Sequence, residues 1–323
     1  MFKISRKTFK QLKYYSFGDL TQQDKRCVFI TVHDLGTNHT SLVDFVNCPA
    51  MAEIKERSCF IHVDVPGHEE NSPDLPDYPF PSLQTLGEDL VTVLDFLHVR
   101  YAVGLGEGAG ANVLARCGLA HPRRLLGLIL VNCTGSTSSV ADAFRTRFSR
   151  WRGTDITQSE EDFLIYHKFG HVSLLPDERE RMLSEYRSRL RGNLNTHNIK
   201  QYVRAFIHRK DLVLRGCQPD ILLITGNLSP YSSVVEKMYK ELDKDKVTIL
   251  KVERVGDVLA EAPAKVAQSL LLFCQGQGQL TSLPPPGIER RMSRAMSMEE
   301  YDKPNIRRLS LTPSTESPPP RKL

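Results

Sequence analysis

Residues 101–122 read YAVGLGEGAGANVLARCGLAHP, and this stretch decides the fold. An apolar run opens it, a glycine cluster follows, and an amphipathic helix pattern completes it. A strand, a tight turn and a helix in this order are typical of a nucleophile elbow, whose motif is G-x-S-x-G. Gly106 and Gly110 keep the spacing of the motif, but Gly108 stands at the serine position. Because glycine has no side chain, covalent catalysis from this position is excluded.

The segments around this stretch alternate between strand and helix patterns. Continuous apolar runs predict strands buried on both faces at residues 27–32, 58–65, 101–106 and 125–131. Helices are predicted at 40–48, 109–120 and from Ser82, as the N-cap, to about Leu97. We therefore expect an α/β fold with a mostly parallel central sheet and right-handed crossovers.

Composition divides the chain into four segments. Residues 1–134 form the first part of the α/β core. Residues 135–208 are charged and poor in strand signals, which predicts a helical cap inserted into the core. Two further strand signals place residues 209–278 in the same sheet. Residues 279–323 are rich in proline, serine and threonine with little apolar content, which predicts a disordered basic tail.

Charge argues against a nucleic-acid partner. The 323-residue chain has a net charge of +5. From Gln279 onward we count eight basic and five acidic residues, so the tail holds three of the five net charges. The basicity is thus partly a property of the tail, and no basic face of the folded domain is expected to bind nucleic acid.

Cysteine usage and hydropathy indicate a cytoplasmic protein. The seven cysteines are scattered without a C-x-x-C pair, which is typical of a reducing compartment and predicts no metal site. The N-terminal residues contain no apolar core of a secretion signal, and no apolar run is long enough to span a bilayer. We therefore expect a soluble cytoplasmic protein.

The other two positions of a catalytic triad are also filled by unsuitable residues. In hydrolases with a nucleophile elbow the chain order is nucleophile, acid and histidine. Asn227 follows the strand where the acid is expected, and an amide cannot stabilise an imidazolium by charge. Residues 256–263 keep the frame G-H-x-x-x-E-x-P, but Asp257 replaces the histidine. Gly108, Asn227 and Asp257 together predict that the chain is not an enzyme.

Several motifs resemble the N-myc downstream-regulated (NDRG) family. They are HDLGTNH (33–39), DVPG (64–67), YPFPSL (78–83) and GLGEGAGA (104–111). Similarity covers roughly residues 25–278 and is most specific over 27–135. It implies an α/β-hydrolase fold without a working triad, in a cytoplasmic signalling or stress-linked phosphoprotein. The chain departs from the family pattern in its short N-terminal region, in Asn227 where aspartate is common, and in a tail without the longer repeats.

A dinucleotide-binding loop is the first alternative interpretation of the glycines. Gly104, Gly106 and Ala109 fit the loose pattern G-x-G-x-x-G/A. That fingerprint requires an acidic residue about 20 positions later to bind the ribose, and the next strand ends in Val131-Asn132-Cys133. The turn also follows the third strand rather than the first. The sequence therefore predicts no cofactor.

A repurposed pocket is the second alternative. His33, Asp34, Glu107 and Ala109 are the candidate pocket residues, because they lie in or beside the elbow and the loop expected to supply an oxyanion-hole amide. As an acid and base pair, these side chains would make a weak or repurposed hydrolase. Without chemistry, the pocket would serve a small-ligand sensor. In the purely structural interpretation, His33 and Asp34 satisfy backbone groups of their loop.

The tail carries candidate phosphorylation sites. Two R-R-x-S motifs end at Ser293 and Ser310, and a weaker R-x-x-S motif ends at Ser297. Thr312 and Ser317 precede prolines. Basophilic and proline-directed Ser/Thr kinases are therefore the expected partners. Since each phosphate adds about −1.5 to −2 charges, two would bring the tail close to neutral. We expect a scaffold or adaptor whose tail regulates a protein contact or a peripheral membrane contact.

Overall fold

The strands form one mixed sheet that is mostly parallel. The computed structural model describes residues 12–76, 80–136, 156–170 and 176–284. Its strands are β1 (Lys13–Phe17), β2 (Cys27–Val32), β3 (Ser58–Asp64), β4 (Ala102–Glu107), β5 (Leu125–Val131), β6 (Asp220–Gly226) and β7 (Val247–Val252). They lie in the order β1-β3-β2-β4-β5-β6-β7. Only β1 runs antiparallel to its neighbour among these strands, which confirms the predicted fold class.

Helices cover both faces of the sheet. Within the described residues they are α1 (His39–Asn47), α2 (Ala52–Glu56), α3 (Leu83–Phe96), α4 (Gly108–Ala120), α5 (Gln158–Phe169), α6 (Pro176–Gly192), α7 (Thr196–Ile207), α8 (Ser232–Glu241), α9 (Val258–Glu261) and α10 (Pro263–Gly276), besides two short 3₁₀ turns. Alternate residues of β2 enter two separate apolar clusters, as the pleat of a strand requires. One cluster packs under α3, α4 and α8, and the other under α1 and α10.

Three helices between β5 and β6 pack on the first of these clusters. The helices α5, α6 and α7 contribute Phe163, Tyr186 and Tyr202 to it. The start of α5 is set by a capping box, in which Thr157 and Glu160 satisfy each other's backbone N–H groups. This fixed start determines which residues of α5 reach the sheet at its other end.

The strand β1, at the edge of the sheet, was not predicted from the sequence. Tyr14 alone is buried in it, because an edge strand is covered on one side only. Its sequence therefore lacks the continuous apolar run that marks the central strands.

No helix in the described part of the chain is long and apolar enough to cross a membrane.

Close packing explains one of the elbow glycines. A Cβ atom on Gly110 would lie 2.2 Å from the carbonyl oxygen of Val32, so only glycine lets α4 approach β2 this closely. The turn before it places Gly108 at a φ of +51°, in the left-handed region. Both positions keep the geometry of the elbow motif without its serine.

Candidate functional site

Three buried carboxylates meet at the C-terminal edge of the sheet. Asp34 follows β2, Glu107 ends β4, and Asp257 follows β7. Their exposed fractions are 3%, 1% and 2%. Parallel strands bring their carboxyl ends to one edge, which is where α/β proteins place their ligand sites. We refer to these three residues as the carboxylate cluster.

The last turn of α5 supplies the partners of the carboxylate cluster. His167 Nε2 lies 2.9 Å from Asp34 Oδ2, and His167 Nδ1 shares a hydrogen bond with the hydroxyl of Tyr231. Lys168 forms an ion pair with Glu107, and its Nζ lies 3.2 Å from Asp257 Oδ2. Two consecutive residues of α5 therefore fasten this helix to three different strand ends.

Asp34 occupies the space of the missing nucleophile. A Cβ atom on Gly108 would lie 2.0 Å from Asp34 Oδ1, closer than real Cβ contacts come. The backbone N–H of Ala109 donates to the same oxygen at 2.8 Å. In a hydrolase the N–H after the nucleophile belongs to the oxyanion hole. Here this donor is already bound to a carboxylate of the chain itself.

The carboxylate cluster has more acid groups than bases at close range. Burial raises the pKa of Glu107 to about 8; Lys168 opposes the rise, while Asp257 and Asp34 add to it. Burial also acts to raise the pKa of Asp34, but His167 and the Ala109 N–H bring it below its usual value. Burial acts to lower the pKa of Lys168, and the facing carboxylates outweigh it and raise that pKa. Glu107 therefore holds its proton more tightly than a solvent-exposed glutamate does.

His33 serves the backbone and not the carboxylate cluster. Its Nε2 accepts a hydrogen bond from the N–H of Val65 at 3.2 Å, so Nδ1 carries the proton and donates to the carbonyl of Asp34 at 2.8 Å. Burial, with His68 nearby, lowers the pKa of His33 to about 3, which keeps the ring neutral. Of the predicted pocket residues, the structure brings together Asp34, Glu107 and Ala109, while His33 holds two loops together.

The residue at the expected acid position lies in a surface turn. Asn227 Oδ1 accepts from the N–H of Arg254 at 2.7 Å, and Asn227 Nδ2 donates to Glu253 at 2.5 Å. These bonds fix the turn after β7 and involve no member of the carboxylate cluster.

Asp257, at the expected histidine position, has two structural roles. Asp257 is the N-cap residue of α9, and its Oδ1 accepts a hydrogen bond from the N–H of Leu259 at 3.0 Å. Its Oδ2 faces Lys168. It thus combines helix capping with a buried ion pair.

Sequence reasoning missed His167, Lys168 and Tyr231. They lie in or next to helices of mixed charge, where no motif distinguishes them from surface residues. The T-x-x-E capping box was the one available signal for the start of α5. The tail candidates Ser293, Ser297, Ser310, Thr312 and Ser317 lie outside the described residues.

No metal site is formed by the described part of the chain. None of its groups of three or more histidine, cysteine, aspartate or glutamate side chains could hold a metal ion. All seven cysteines are free thiols, and six of them are buried.

The family follows from a comparison with known sequences. The profile of the Ndr family matches residues 3–281. The chain belongs to the Ndr family. It is 40% identical to an uncharacterized protein of Caenorhabditis elegans, over 93% of this chain and 91% of the relative. It is 31% identical to protein NDRG1-A of Xenopus laevis, over 87% of this chain and 73% of the relative. The resemblance expected from the motifs is thereby confirmed.

Solved structures place this Ndr-family protein in the α/β-hydrolase fold. The enol-lactonase from Burkholderia xenovorans superposes with a TM-score of 0.64 at 16% identity, covering 82% of this chain and 96% of that one. A hydrolase from Pseudomonas aeruginosa superposes with a TM-score of 0.62 at 20% identity, covering 81% and 93%. At such low identity these likenesses concern the fold alone, and they confirm the predicted hydrolase architecture.

Proposed function

We propose that this Ndr-family protein is non-enzymatic and acts as a scaffold or adaptor in cytoplasmic signalling. One observation carries the proposal: the carboxylate of Asp34 fills the nucleophile space beside Gly108 and binds the N–H of Ala109. A side chain that completes its own hydrogen bonds within the fold leaves no group there for a substrate.

Electrostatics around the elbow also oppose acyl transfer. An oxyanion hole stabilises negative charge through donors 2.7–3.1 Å from the developing oxyanion, at roughly the geometry of ordinary hydrogen bonds. Here such an oxyanion would form beside the carboxylates of Asp34 and Asp257, which are both buried. Since like charges repel strongly at low dielectric, the site would destabilise the transition state. This supports a role in binding rather than in hydrolysis.

A weak or repurposed hydrolase is the second candidate, and Glu107 favours it. Its pKa of about 8 is in the range of a general acid at neutral pH, and its Oε2 has no hydrogen-bond partner among the described residues. However, Glu107 is 1% exposed and lies under Lys168. A substrate would reach it only after α5 had moved away.

Hydrolysis of activated short-chain esters separates the two candidates. The full chain is compared with Glu107→Gln, His33→Ala and the matched control Glu241→Gln, whose exposed side chain lies at the end of α8. We expect rates equal to buffer for all four proteins. Turnover that disappears in Glu107→Gln and persists in Glu241→Gln would establish the repurposed hydrolase instead.

Regulation through the tail is the other part of the proposal. It is supported by the two R-R-x-S motifs at Ser293 and Ser310, whose arginines suit the acidic pockets of basophilic kinases. Phosphorylation would neutralise the positive tail and thereby change its contact with a protein or an acidic membrane surface.

Phosphorylation can be tested in cells and by partner capture. Mass spectrometry of stimulated cells is expected to find phosphate on Ser293 or Ser310. The double variant Ser293→Ala and Ser310→Ala is expected to change the set of captured partners, while the control Ser314→Ala, outside both motifs, leaves it unchanged. Unmodified serines after stimulation would refute the switch and leave the non-enzymatic fold untouched.

A further inference from the structure

A cleft of about 560 Å³ opens beside the carboxylate cluster. It lies between α1, α6 and the segment from Asp257 to Pro263, and the buried residues Lys168 and Asp257 belong to its lining. Small-molecule sites have volumes of roughly 300–1,000 Å³ and combine an apolar wall with a few polar groups. The cleft has this size, so its lining determines which ligand it suits.

An aromatic pair forms part of the wall of this cleft. The rings of Phe169 and Tyr186 pack edge to face, with centroids 5.2 Å apart at an angle of 84°. Met182 and Phe45 also line the cleft. Aromatic faces attract ammonium groups because the ring quadrupole is negative above the plane. The wall is therefore suited to an organic cation with an apolar body.

Carboxylates outnumber cations along the lining. The acidic residues are Asp44, Glu70, Glu185 and Asp257, against Lys168 and Arg189. Both cations are already engaged. Arg189 bridges Asp44 at 2.6 Å and Glu185 at 2.7 Å, and Lys168 pairs with Asp257. Glu70 has no ion pair among the described residues and accepts one long hydrogen bond, 3.4 Å from Asn193. Glu70, whose side chain is exposed, is thus the lining carboxylate that has no cation partner among the described residues.

A buried hydroxyl points to the same conclusion. Tyr186 is 8% exposed, lines the cleft, and its hydroxyl has no hydrogen-bond partner in the described part of the chain. A Cβ atom on Gly36, another lining residue, would lie 2.5 Å from this hydroxyl. Buried polar atoms without partners are rare, and a ligand is one group that satisfies them. The oxygen is buried beside Gly36, so an ammonium N–H that enters from the cleft would reach this acceptor after a small shift at that contact.

We propose that the cleft binds a small organic amine. Its ammonium group would lie against Phe169 and Tyr186 in the field of Glu70, and its apolar body would cover Phe45 and Leu259. The inference goes beyond the proposed signalling role, because it assigns a ligand class to a cleft that needs no catalysis. The same carboxylate would repel an acid of the same shape.

Three compounds with the same apolar body test the proposal. The probes are 3-phenylpropylamine, 3-phenylpropan-1-ol and 3-phenylpropionate, titrated calorimetrically into the full chain at low salt. We expect the amine to bind about tenfold more tightly than the alcohol, since cation–π and carboxylate contacts act on the ammonium only. The acid is expected to bind most weakly of the three.

Two variants locate the binding in the cleft. Glu70→Gln is expected to weaken amine binding about three- to tenfold and leave the alcohol unchanged, because only the charge contact is lost. Tyr186→Phe keeps the ring and should weaken binding of the amine. Glu241→Gln makes the same change in net charge at a residue outside the lining, serves as the matched control and is expected to have no effect.

Each other outcome refutes the proposal. Equal binding of amine and alcohol would mean an apolar pocket only, and tighter binding of the acid would mean an anion site. An amine that binds equally well to Glu70→Gln, or no binding by any probe, would also overturn it. None of these results depends on turnover, so they are distinct from a failure of the non-enzymatic proposal.

Discussion

Restoring a serine at the elbow should destabilise the protein rather than activate it. In Gly108→Ser the new Cβ atom lies 2.0 Å from Asp34 Oδ1, and the carboxylate must retreat to at least 3.0 Å. The retreat breaks the 2.8 Å hydrogen bond from the N–H of Ala109, which costs about 1.5–3 kcal/mol for a charged acceptor. The left-handed φ of +51° adds about 1–2 kcal/mol for a residue with a Cβ atom. The free energy of unfolding should therefore fall by about 2.5–5 kcal/mol.

A second glycine separates backbone strain from the clash with Asp34. Gly216 has a φ of +79° and nothing within 4 Å of an added Cβ atom. Gly216→Ser should therefore cost only the backbone strain of about 1–2 kcal/mol. Both variants are measured by urea denaturation followed by far-ultraviolet circular dichroism, with the ester assay run in parallel.

A double-mutant cycle tests the role of Asp34 directly. In an Asp34→Ala background, Gly108→Ser should cost no more than Gly216→Ser, since the clashing oxygen is gone. The two sites are then coupled by about 2 kcal/mol. If Gly108→Ser costs the same in both backgrounds, Asp34 does not occupy the nucleophile space and the reasoning fails.

Three more predictions concern the carboxylate cluster. Lys168→Met should lower the free energy of unfolding by about 3–5 kcal/mol, because it leaves buried carboxylates without their partner. The control Lys251→Met, which breaks an exposed ion pair, should cost far less in the same urea titration. Equal losses in the two variants would contradict this prediction. Since the pKa of Glu107 is raised from 4.5 to about 8, its proton stabilises the folded state fully below about pH 4.5, and this contribution is lost as the pH rises to about 8. Urea titrations between these limits should show the extra loss in the wild type and not in Glu107→Gln, and parallel curves would refute it. Asp257→Asn keeps an N-cap oxygen on α9 and should be more stable than Asp257→Ala by about 1 kcal/mol in thermal denaturation; equal stabilities would show that the cap contributes nothing.

Strand positions in the core were predictable from the sequence for a clear physical reason. Central parallel strands are buried on both faces, so β2 and β5 read as unbroken apolar runs. The edge strand β1 has one covered side and gives no such run. The elbow was also predictable, because its geometry requires glycines that can be seen in the sequence. Gly108 has a positive φ, and at Gly110 the helix approaches β2 too closely for a larger residue.

The candidate site was predictable only in part. Asp34, Glu107 and Ala109 stand beside recognisable motifs and do come together. His33 looked equally suitable, but both of its ring nitrogens bond backbone groups, which no spacing in the sequence reveals. The identity of a hydrogen-bond partner depends on loops that are distant in sequence.

The sequence by itself determined the central strands, the elbow and the absence of a serine at Gly108, because these depend on local periodicity and on the size of single residues. Only the tertiary structure decided what replaced the nucleophile. His167 and Lys168 lie 133 and 61 residues along the chain from the carboxylates they bind, Asp34 and Glu107. Such pairings arise when α5 docks on the strand ends, since burial then forces each charge to find a partner. The same docking brings Lys168 and Phe169 of α5 into the wall of the cleft beside the carboxylate cluster.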